Sequence, residues 1–351
     1  MTRPIAAIAA LSPLAVACDD SPSTPPVEPE TRIFATPIAG ELSRDWFVNG
    51  YVDADDGVGE YTDYECGPKS YDGHQGTDLV LPDFHRMDEG VDVLAAAAGT
   101  VWATHDGEFD RHKVWQDTVP WNVVAVDHGE RHGYRYFAYY GHLKNGSIAV
   151  TEGQSVSPGT VLGEVGSSGR SDMPHLHFEV RRAPVSGVVG VVADPWEGAC
   201  GAGSSLWLDQ IPYQDEFRPI QAGLSVDSMS LDRVKDPPTP VTAVTAGGQP
   251  GAVSAWVQLH NQRAGAVTSW EWRRPDGTTF GQTGRTHTRF YSMSWWWTSV
   301  PLAAFDEAGT WSVEIRSHGE PVVALAFDVT LAGAVEAAAD RTPSVDGGGI
   351  R

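Results

Sequence analysis

The sequence has little cysteine, little positive charge and no long uninterrupted apolar run. Its 351 residues include three cysteines, and 24 lysines and arginines stand against 46 aspartates and glutamates, for a formal net charge of −22. Because phosphate binding needs clustered lysine and arginine, this balance argues against a nucleic-acid partner and disfavours docking on anionic lipid. No segment beyond the N-terminus is apolar enough to cross a bilayer, which takes about 20 apolar residues.

The N-terminal residues are typical of an export signal. Arg3 precedes the apolar stretch Ile5–Val16, which is too short to span a membrane, so residues 1–17 are predicted to be a signal peptide. Small residues before Cys18 resemble a bacterial lipobox, although its leucine lies one place too early. We therefore expect a lipid anchor on Cys18 and a location in the cell envelope, with ordinary cleavage and no lipid as the alternative. Residues 18–33 hold little to bury and predict a flexible tether.

The other two cysteines, Cys66 and Cys200, lie far apart and lack Cys-x-x-Cys spacing. In an oxidising compartment a disulfide between them is the simplest expectation. It would tie the loop before His74 to the end of the first domain. The alternative is two free or metal-binding thiols.

Length and pattern predict an all-β protein of two domains. Short strands punctuated by glycine, among them a hairpin pair at Asn122–Val126 and Arg135–Tyr140, indicate a first domain that is mostly antiparallel. Alternating apolar residues and tight turns further on indicate a small β-sandwich, which resembles immunoglobulin-like domains by pattern alone. The predicted segments are a first domain at 34–215, a Pro-rich linker at 216–244, the β-sandwich at 245–332 and a disordered tail at 333–351.

Three consecutive tryptophans, Trp295, Trp296 and Trp297, stand out in the second domain. Neighbouring side chains of a strand point to opposite faces, so at least one ring is expected to be less buried than the others. An exposed ring would suit stacking on cell-wall sugars. Packing inside a small sandwich core is the favoured interpretation.

Two short strings carry residues suited to metal chemistry. Residues 74–78 read His-Gln-Gly-Thr-Asp, and on an extended segment His74 and Asp78 share one face, with a glycine between them that leaves room for an ion. Residues 175–179 read His-Leu-His-Phe-Glu, which places both histidines and the glutamate on one face. Two histidines and one carboxylate are a suitable ligand set for catalytic zinc, which keeps a fourth position open.

Four sequence blocks, in order, resemble the lysostaphin/LytM-type metallopeptidases (metallopeptidase family twenty-three). The likeness runs from about Tyr61 to Pro195, and its blocks are His-x-Gly-x-Asp at 74–78, Gly-His-Leu at 141–143, a glycine and valine pattern at 153–163, and Pro-His-Leu-His-Phe-Glu-Val at 174–180. The resemblance implies one zinc ion held by His74, Asp78 and His177. It also implies that His142 and His175 are the catalytic pair.

The resemblance further implies a zinc endopeptidase that cleaves peptide cross-links of peptidoglycan. The alternatives are a non-catalytic activator of other wall hydrolases and a secreted protease for Gly-rich peptides. Glu179 is either an acceptor that orients a ligand histidine or a solvent-facing carboxylate. Two departures from the family pattern, the long loop Asp106–Pro120 and Met173 before Pro174, bear on substrate preference.

Overall fold

The computed structural model describes residues 32–131, 133–185, 190–201, 203–247, 250–332 and 344–350. The predicted signal peptide, Cys18 and nearly all of the predicted tether lie outside these residues. Within them, no helix is both long and apolar enough to cross a membrane. The α-helices described are short, Phe84–Glu89 (α1) and Leu231–Val234 (α2), with a 3₁₀ turn at Leu302–Ala304.

The first region, residues 33–215, is built on one large antiparallel sheet. Its strands are Phe47–Gly50 (β1), Thr77–Val80 (β2), Asp92–Leu94 (β3), Gly99–His105 (β4), Val123–Arg131 (β5), Tyr134–Gly141 (β6), Ser155–Val156 (β7), Val161–Glu164 (β8), His175–Pro184 (β9) and Val191–Val192 (β10). The large sheet has the order β1-β2-β9-β6-β5-β4-β7, with β10 added beside β9, while β3 pairs with β8. The predicted hairpin is confirmed as β5 and β6.

Strand β9 lies between β2 and β6 and divides its side chains between two environments. Leu176, Phe178 and Val180 point into the hydrophobic core, where each is at most 1% exposed. The alternate residues, among them His175 and His177, point to the opposite face, as the period of two requires. This strand therefore links the core to the polar face of the sheet.

The predicted disulfide is confirmed, since Cys66 and Cys200 are bonded. The alternative of two free or metal-binding thiols is thereby excluded. The backbone N–H of Cys200 also donates to the carbonyl of Tyr64 at 2.7 Å. Together these bonds fasten the loop that precedes His74 to the end of the first region.

The second region, residues 218–350, consists of two sheets. Its strands are Arg218–Ser225 (β11), Ala243–Ala246 (β12), Ala252–Gln262 (β13), Val267–Arg273 (β14), Thr279–Thr286 (β15), Tyr291–Pro301 (β16), Gly309–Ser317 (β17), Glu320–Leu331 (β18) and Ser344–Ile350 (β19). The sheet orders are β11-β13-β16-β19 and β12-β18-β17-β14-β15, antiparallel except for β12 beside β18. Both sheets contribute to one core that includes Trp270, Trp296 and Trp311. The predicted all-β, antiparallel class is confirmed, and the immunoglobulin-like kinship stays a prediction.

Two predicted boundaries are wrong. The linker predicted at 216–244 contains β11, which pairs with β13, so this stretch is part of a sheet. The burial of β11 does not alternate and its register shifts between Pro219 and Gln221, so the period of two did not mark it as a strand. Of the predicted disordered tail, Ser344–Ile350 form β19 against β16. A Cβ added at Gly347 would lie 2.4 Å from the Trp296 ring, so the glycine-rich composition that predicted disorder permits a close approach to the tryptophan strand.

All three tryptophans are buried, with Trp295, Trp296 and Trp297 0%, 1% and 8% exposed, but the favoured expectation that they pack inside the sandwich core holds for Trp296 alone. Trp296 points into the core between the two sheets. Trp295 and Trp297 point the other way, into an interface cluster shared with Phe47, Val80 and Met173 of the first region. The outer face of β16 is therefore covered by the first region, and these rings are not free to stack on sugars.

Candidate metal centre

The pairing of β2 with β9 brings the two predicted strings together. Asp78 lies directly opposite His177 in the antiparallel register, and His74 precedes β2 by three residues. His177 Nδ1 is 2.9 Å from Asp78 Oδ1, His74 Nε2 is 3.1 Å from the same oxygen, and the two nitrogens are 3.4 Å apart. All three side chains are buried. Among the described residues, they form a group able to hold a metal ion.

The three donor atoms fit the geometry of a zinc site. Two ligands that each lie about 2.0–2.1 Å from a tetrahedral zinc are separated from each other by roughly 3.3 Å. The separations of 2.9, 3.1 and 3.4 Å bracket that value. Two imidazoles and one carboxylate also leave one of four positions for water or substrate, as in catalytic sites.

Hydrogen bonds fix the orientation of both ligand imidazoles. His74 donates through Nδ1 to the carbonyl of Tyr51 at 2.6 Å, so its Nε2 lone pair points into the site. His177 has Nε2 3.3 Å from Glu179 Oε2. Metal-binding histidines commonly donate their other N–H to a backbone carbonyl or a carboxylate in this way. Of the two alternatives for Glu179, the buried position beside a ligand histidine therefore replaces the solvent-facing one.

The predicted catalytic pair lies beside this group. The rings of His142 and His175 have centroids 4.4 Å apart, and His175 Nε2 is 3.7 Å from Asp78 Oδ1. His142 donates through Nδ1 to the Ser168 carbonyl at 2.6 Å, and His175 donates through Nδ1 to the Met173 carbonyl at 2.9 Å. Each therefore presents an Nε2 lone pair. The structure thus brings together all five predicted site residues.

The backbone at His142 is strained, with φ of 62°. A left-handed conformation is uncommon for residues other than glycine and persists only where the surroundings hold it. Here the preceding Gly141 makes space, since a Cβ at that position would lie 2.0 Å from the ring of Trp121. Trp121 in turn packs edge-on against His142, with ring centroids 4.9 Å apart.

Burial and mutual proximity shift the pKa values of the site. For Asp78, burial alone raises the pKa, but His74, His175 and His177 outweigh it and hold the pKa well below its ordinary range. For His177, burial lowers the pKa, but hydrogen bonds to Asp78 and Glu179 raise it to about 9. Burial lowers the pKa of His142 well below its ordinary value. Without a metal, Asp78 is thus an anion and His177 a cation between two carboxylates.

Two clefts border the site and share an aromatic wall that sequence reasoning missed. Tyr71 stacks on His74 with ring centroids 4.3 Å apart and meets Trp115 edge-on at 6.1 Å. The Asp78 cleft, of about 240 Å³, is lined by Asn49, Tyr71, Asp78, Val80, Trp115, Asp172, Met173 and His175. The His142 cleft, of about 270 Å³, is lined by Tyr71, Trp115, Val119, Trp121, His142, Arg170 and His177. The long loop Asp106–Pro120 and Met173, the two departures from the family pattern, therefore both reach the site.

A buried His, Asp, His set on neighbouring antiparallel strands, with further histidines beside it, is a group that could hold one metal ion, with the ligand types that catalytic zinc sites use. Residues 73–193 match the profile of Peptidase family M23. This segment is therefore an M23 peptidase domain, and the resemblance drawn from its sequence blocks is confirmed.

Individual relatives match over short stretches. The peptidoglycan DD-endopeptidase ShyA of Vibrio cholerae is 33% identical over 115 residues, which are 32% of this chain and 22% of that protein. ShyC of the same organism, also a peptidoglycan DD-endopeptidase, is 32% identical over 90 residues, or 26% and 19% of the two chains. The chain thus spans about a fifth of these relatives. A solved zinc-containing peptidase from Vibrio cholerae is 25% identical and aligns over 39% of this chain and 36% of its own, with a TM-score of 0.23.

Proposed function

We propose that this protein is a zinc-dependent endopeptidase that cleaves peptide cross-links of peptidoglycan. The observation that carries the proposal is the donor set of His74, Asp78 and His177, whose atoms lie 2.9–3.4 Å apart inside the segment that matches the M23 family. Peptidoglycan as the substrate is supported by the relatives that share this segment, both of which are named peptidoglycan DD-endopeptidases.

In this proposal His74, Asp78 and His177 hold one zinc ion. Zinc, when bound, lowers the pKa of a water molecule towards about 7 and polarises the scissile carbonyl. His142 and His175 present their Nε2 atoms on the same side of the site, because their Nδ1–H groups are committed to backbone carbonyls. One of the two accepts the proton of the attacking water on its Nε2 and, once protonated, can return it to the leaving amine. The other can donate a hydrogen bond to the oxyanion only when its own Nε2 carries a proton.

The chain's own residues also shape access to the bond that is cut. Tyr71 and Trp115 separate the Asp78 cleft from the His142 cleft, so a peptide that reaches the site has room on each side of this wall. The buried state of the five site residues keeps bulk water away from the reacting groups, which strengthens their electrostatic interactions.

An exported location in the cell envelope is part of the proposal. The bond between Cys66 and Cys200 supports it, since disulfides persist in oxidising compartments. The lipid anchor on Cys18 stays a prediction. Mass analysis of the mature N-terminus tests it, because a lipidated cysteine adds a defined mass and ordinary cleavage does not.

The test uses purified protein and defined cross-linked muropeptides, with products identified by mass spectrometry. Zinc-loaded protein is expected to cleave them, and chelation or His177→Ala is expected to reduce the rate on the order of 10³-fold or more, because several kcal/mol of transition-state stabilisation is lost. Returning zinc should restore the chelated protein only. His105→Ala, an exposed histidine paired with Glu108, is the matched control and should leave the rate unchanged.

Cleavage retained in His177→Ala would contradict the zinc assignment. Failure of the zinc-loaded protein to cleave any muropeptide would instead favour the alternative, an activator of other wall hydrolases. Cleavage of Gly-rich peptides in preference to muropeptides would favour the secreted protease.

A further inference from the structure

Lys235 is a buried cation that lies outside the metal centre yet contacts two walls of its cleft. It follows α2 in the second region and is 1% exposed. Its Nζ donates to the Asp172 carboxylate at 2.8 Å, to the Asp172 carbonyl at 2.8 Å and to the Lys113 carbonyl at 3.0 Å. An ammonium group has three N–H donors, and here all three are used on the first region.

The contacts with Asp172 hold the segment that leads into His175. Asp172 lines the Asp78 cleft, and the next residue, Met173, supplies the carbonyl that accepts from His175 Nδ1. Lys235 donates hydrogen bonds to both the carboxylate and the backbone carbonyl of Asp172. The position of the Met173 carbonyl, and with it the orientation of the His175 ring, therefore depends on a residue of the second region.

The second contact holds the long loop Asp106–Pro120. Lys113 lies two residues before Trp115, which also lines the Asp78 cleft. Beside Lys235, Asp236 accepts from Lys113 Nζ at 2.8 Å and from Arg111 Nη2 at 3.2 Å. Arg111 also makes a two-point contact with Asp88 at 2.7 and 3.1 Å. Ion pairs of Arg111 and Lys113 thus hold the middle of the loop, and Trp115 follows shortly after these residues.

Each charged group around Lys235 has a partner of opposite charge. Lys235 faces the carboxylate of Asp172, while Arg111 and Lys113 face the carboxylate of Asp236. A buried ammonium that loses its partners costs several kcal/mol, so such a group stays where its acceptors are.

We propose that Lys235 is a positioning residue for the peptidase site, through which the second region sets the width of the Asp78 cleft and the orientation of His175. The role rests on the proposed endopeptidase function. It also assigns a purpose to the second region, which is to hold the substrate cleft open at one width. Lys235 itself does not reach the reacting atoms.

The test compares Lys235→Met with Arg233→Ala. Methionine keeps the length and apolar stem of lysine and removes the donors. Arg233 lies in the same helix but pairs with Asp227 at the surface, so it is the matched control. Steady-state cleavage of a cross-linked muropeptide is measured well below the unfolding temperature, together with bound zinc and hydrogen exchange of the peptides that cover residues 106–120.

Lys235→Met is expected to retain one equivalent of zinc, to exchange faster over residues 106–120 and to lose about 10²-fold in kcat/KM, chiefly through kcat, because misplacing a reacting group by about 1 Å has this effect. Arg233→Ala should match the wild type in every measurement. Asp236→Asn, a milder change, should act in the same direction and serves if Lys235→Met does not fold. Unchanged exchange together with unchanged kcat/KM would overturn the proposal. If the wild type itself cleaves no muropeptide, the proposed function is wrong, while the exchange data still decide whether Lys235 fixes the loop.

Discussion

Among the buried groups of the described residues that contain histidine, the metal centre and a cluster at the interface of the two regions are joined through the segment that follows β1. In the metal centre, His74 Nε2, His177 Nδ1 and Asp78 Oδ1 converge within 3.4 Å of one another. In the second cluster, at the interface of the two regions, Lys69 Nζ donates to the Val48 carbonyl at 2.6 Å and to the Gln214 carbonyl at 2.7 Å and lies 3.2 Å from His260 Nε2.

The difference between the clusters is in the balance of donors and acceptors. At the interface, the ammonium group of Lys69 donates to carbonyl oxygens, so its hydrogen bonds are made within the cluster. In the metal centre, the atoms that converge are two imidazole nitrogens and a carboxylate oxygen, and without a metal the protonated His177 lies between Asp78 and Glu179. The clusters therefore differ in convergence: three possible ligand atoms face one point in the metal centre, whereas His260 faces an ammonium group and a carbonyl.

The clusters are also joined. The Lys69 carbonyl accepts from the Tyr51 N–H at 2.8 Å, and the Tyr51 carbonyl accepts from His74 Nδ1 at 2.6 Å. The interface cluster thus supports the backbone that orients a metal ligand. Substitutions in one cluster at a time therefore distinguish metal binding from stabilisation of the interface.

The largest loss of zinc affinity is expected where an added methyl group pushes a ligand histidine out of the metal centre. At Gly76 an added Cβ would lie 2.6 Å from Nε2 and Cε1 of His177, a distance that forces the ring to move. Gly76→Ala should therefore weaken zinc binding by more than about 100-fold, beyond the loss expected for a residue that only supports a ligand. Zinc affinity measured by competition with a chelator checks this, and the interface cluster should be undisturbed.

Gly50→Ala is the matched control for Gly76→Ala. It also borders the site, but its nearest contact, His74 Cε1, would be 3.4 Å away, which is ordinary packing. Zinc affinity close to that of the wild type is expected. Equal losses in the two variants would show that any added methyl group disturbs the site, and the role given to Gly76 would be wrong.

The second effect concerns the charge of the interface cluster. Burial lowers the pKa of Lys69 from its ordinary value of 10.5 to about 7. Between these two values the unfolded chain binds a proton that the folded chain lacks, so the free energy of unfolding rises with pH, whereas below about 7 both states are protonated and this contribution is flat. From pH 7 to pH 9 the wild type should gain about 2 kcal/mol relative to Lys69→Met.

Urea unfolding of chelator-treated protein at the two pH values measures this gain, with the disulfide intact in every sample. Lys144→Met removes a part-exposed lysine that pairs with Glu164 but keeps Lys69, so it should gain stability between pH 7 and pH 9 as the wild type does. If the free energies of unfolding of the wild type and of Lys69→Met change equally between pH 7 and pH 9, the pKa of Lys69 is not lowered in the folded protein. Water would then reach the interface cluster.

The metal centre could be predicted from the sequence because strand periodicity and motif spacing are local. His74, Asp78, His142, His175 and His177 all come together as the blocks implied. The disulfide could be predicted too, since only two cysteines remained after Cys18. These inferences needed no knowledge of how the two regions pack.

The features that depend on packing between regions could not be predicted. Lys69 and His260 are 191 residues apart, and nothing local marks either as a partner of the other. The same reason explains the wrong expectation for the tryptophan strand, since the face that holds Trp295 and Trp297 is covered by the first region. Lys235 lies in the segment predicted as a linker from its proline content, and its acceptors lie in two distant loops that nothing local indicates.

The smallest effect is expected at the edge of the metal centre, where an acceptor supports a ligand without binding the metal. Glu179 is buried beside His177 Nε2 and is also held by Arg181. Glu179→Ala should lower zinc affinity about tenfold, or about 1.4 kcal/mol, because His177 loses the group that fixes its ring. Asp127→Ala, which removes a carboxylate paired with Arg135 on the same sheet, is the control and should leave zinc affinity unchanged. An unchanged affinity in Glu179→Ala would mean that Asp78 alone orients His177, and the metal centre would then need no support beyond its three ligands.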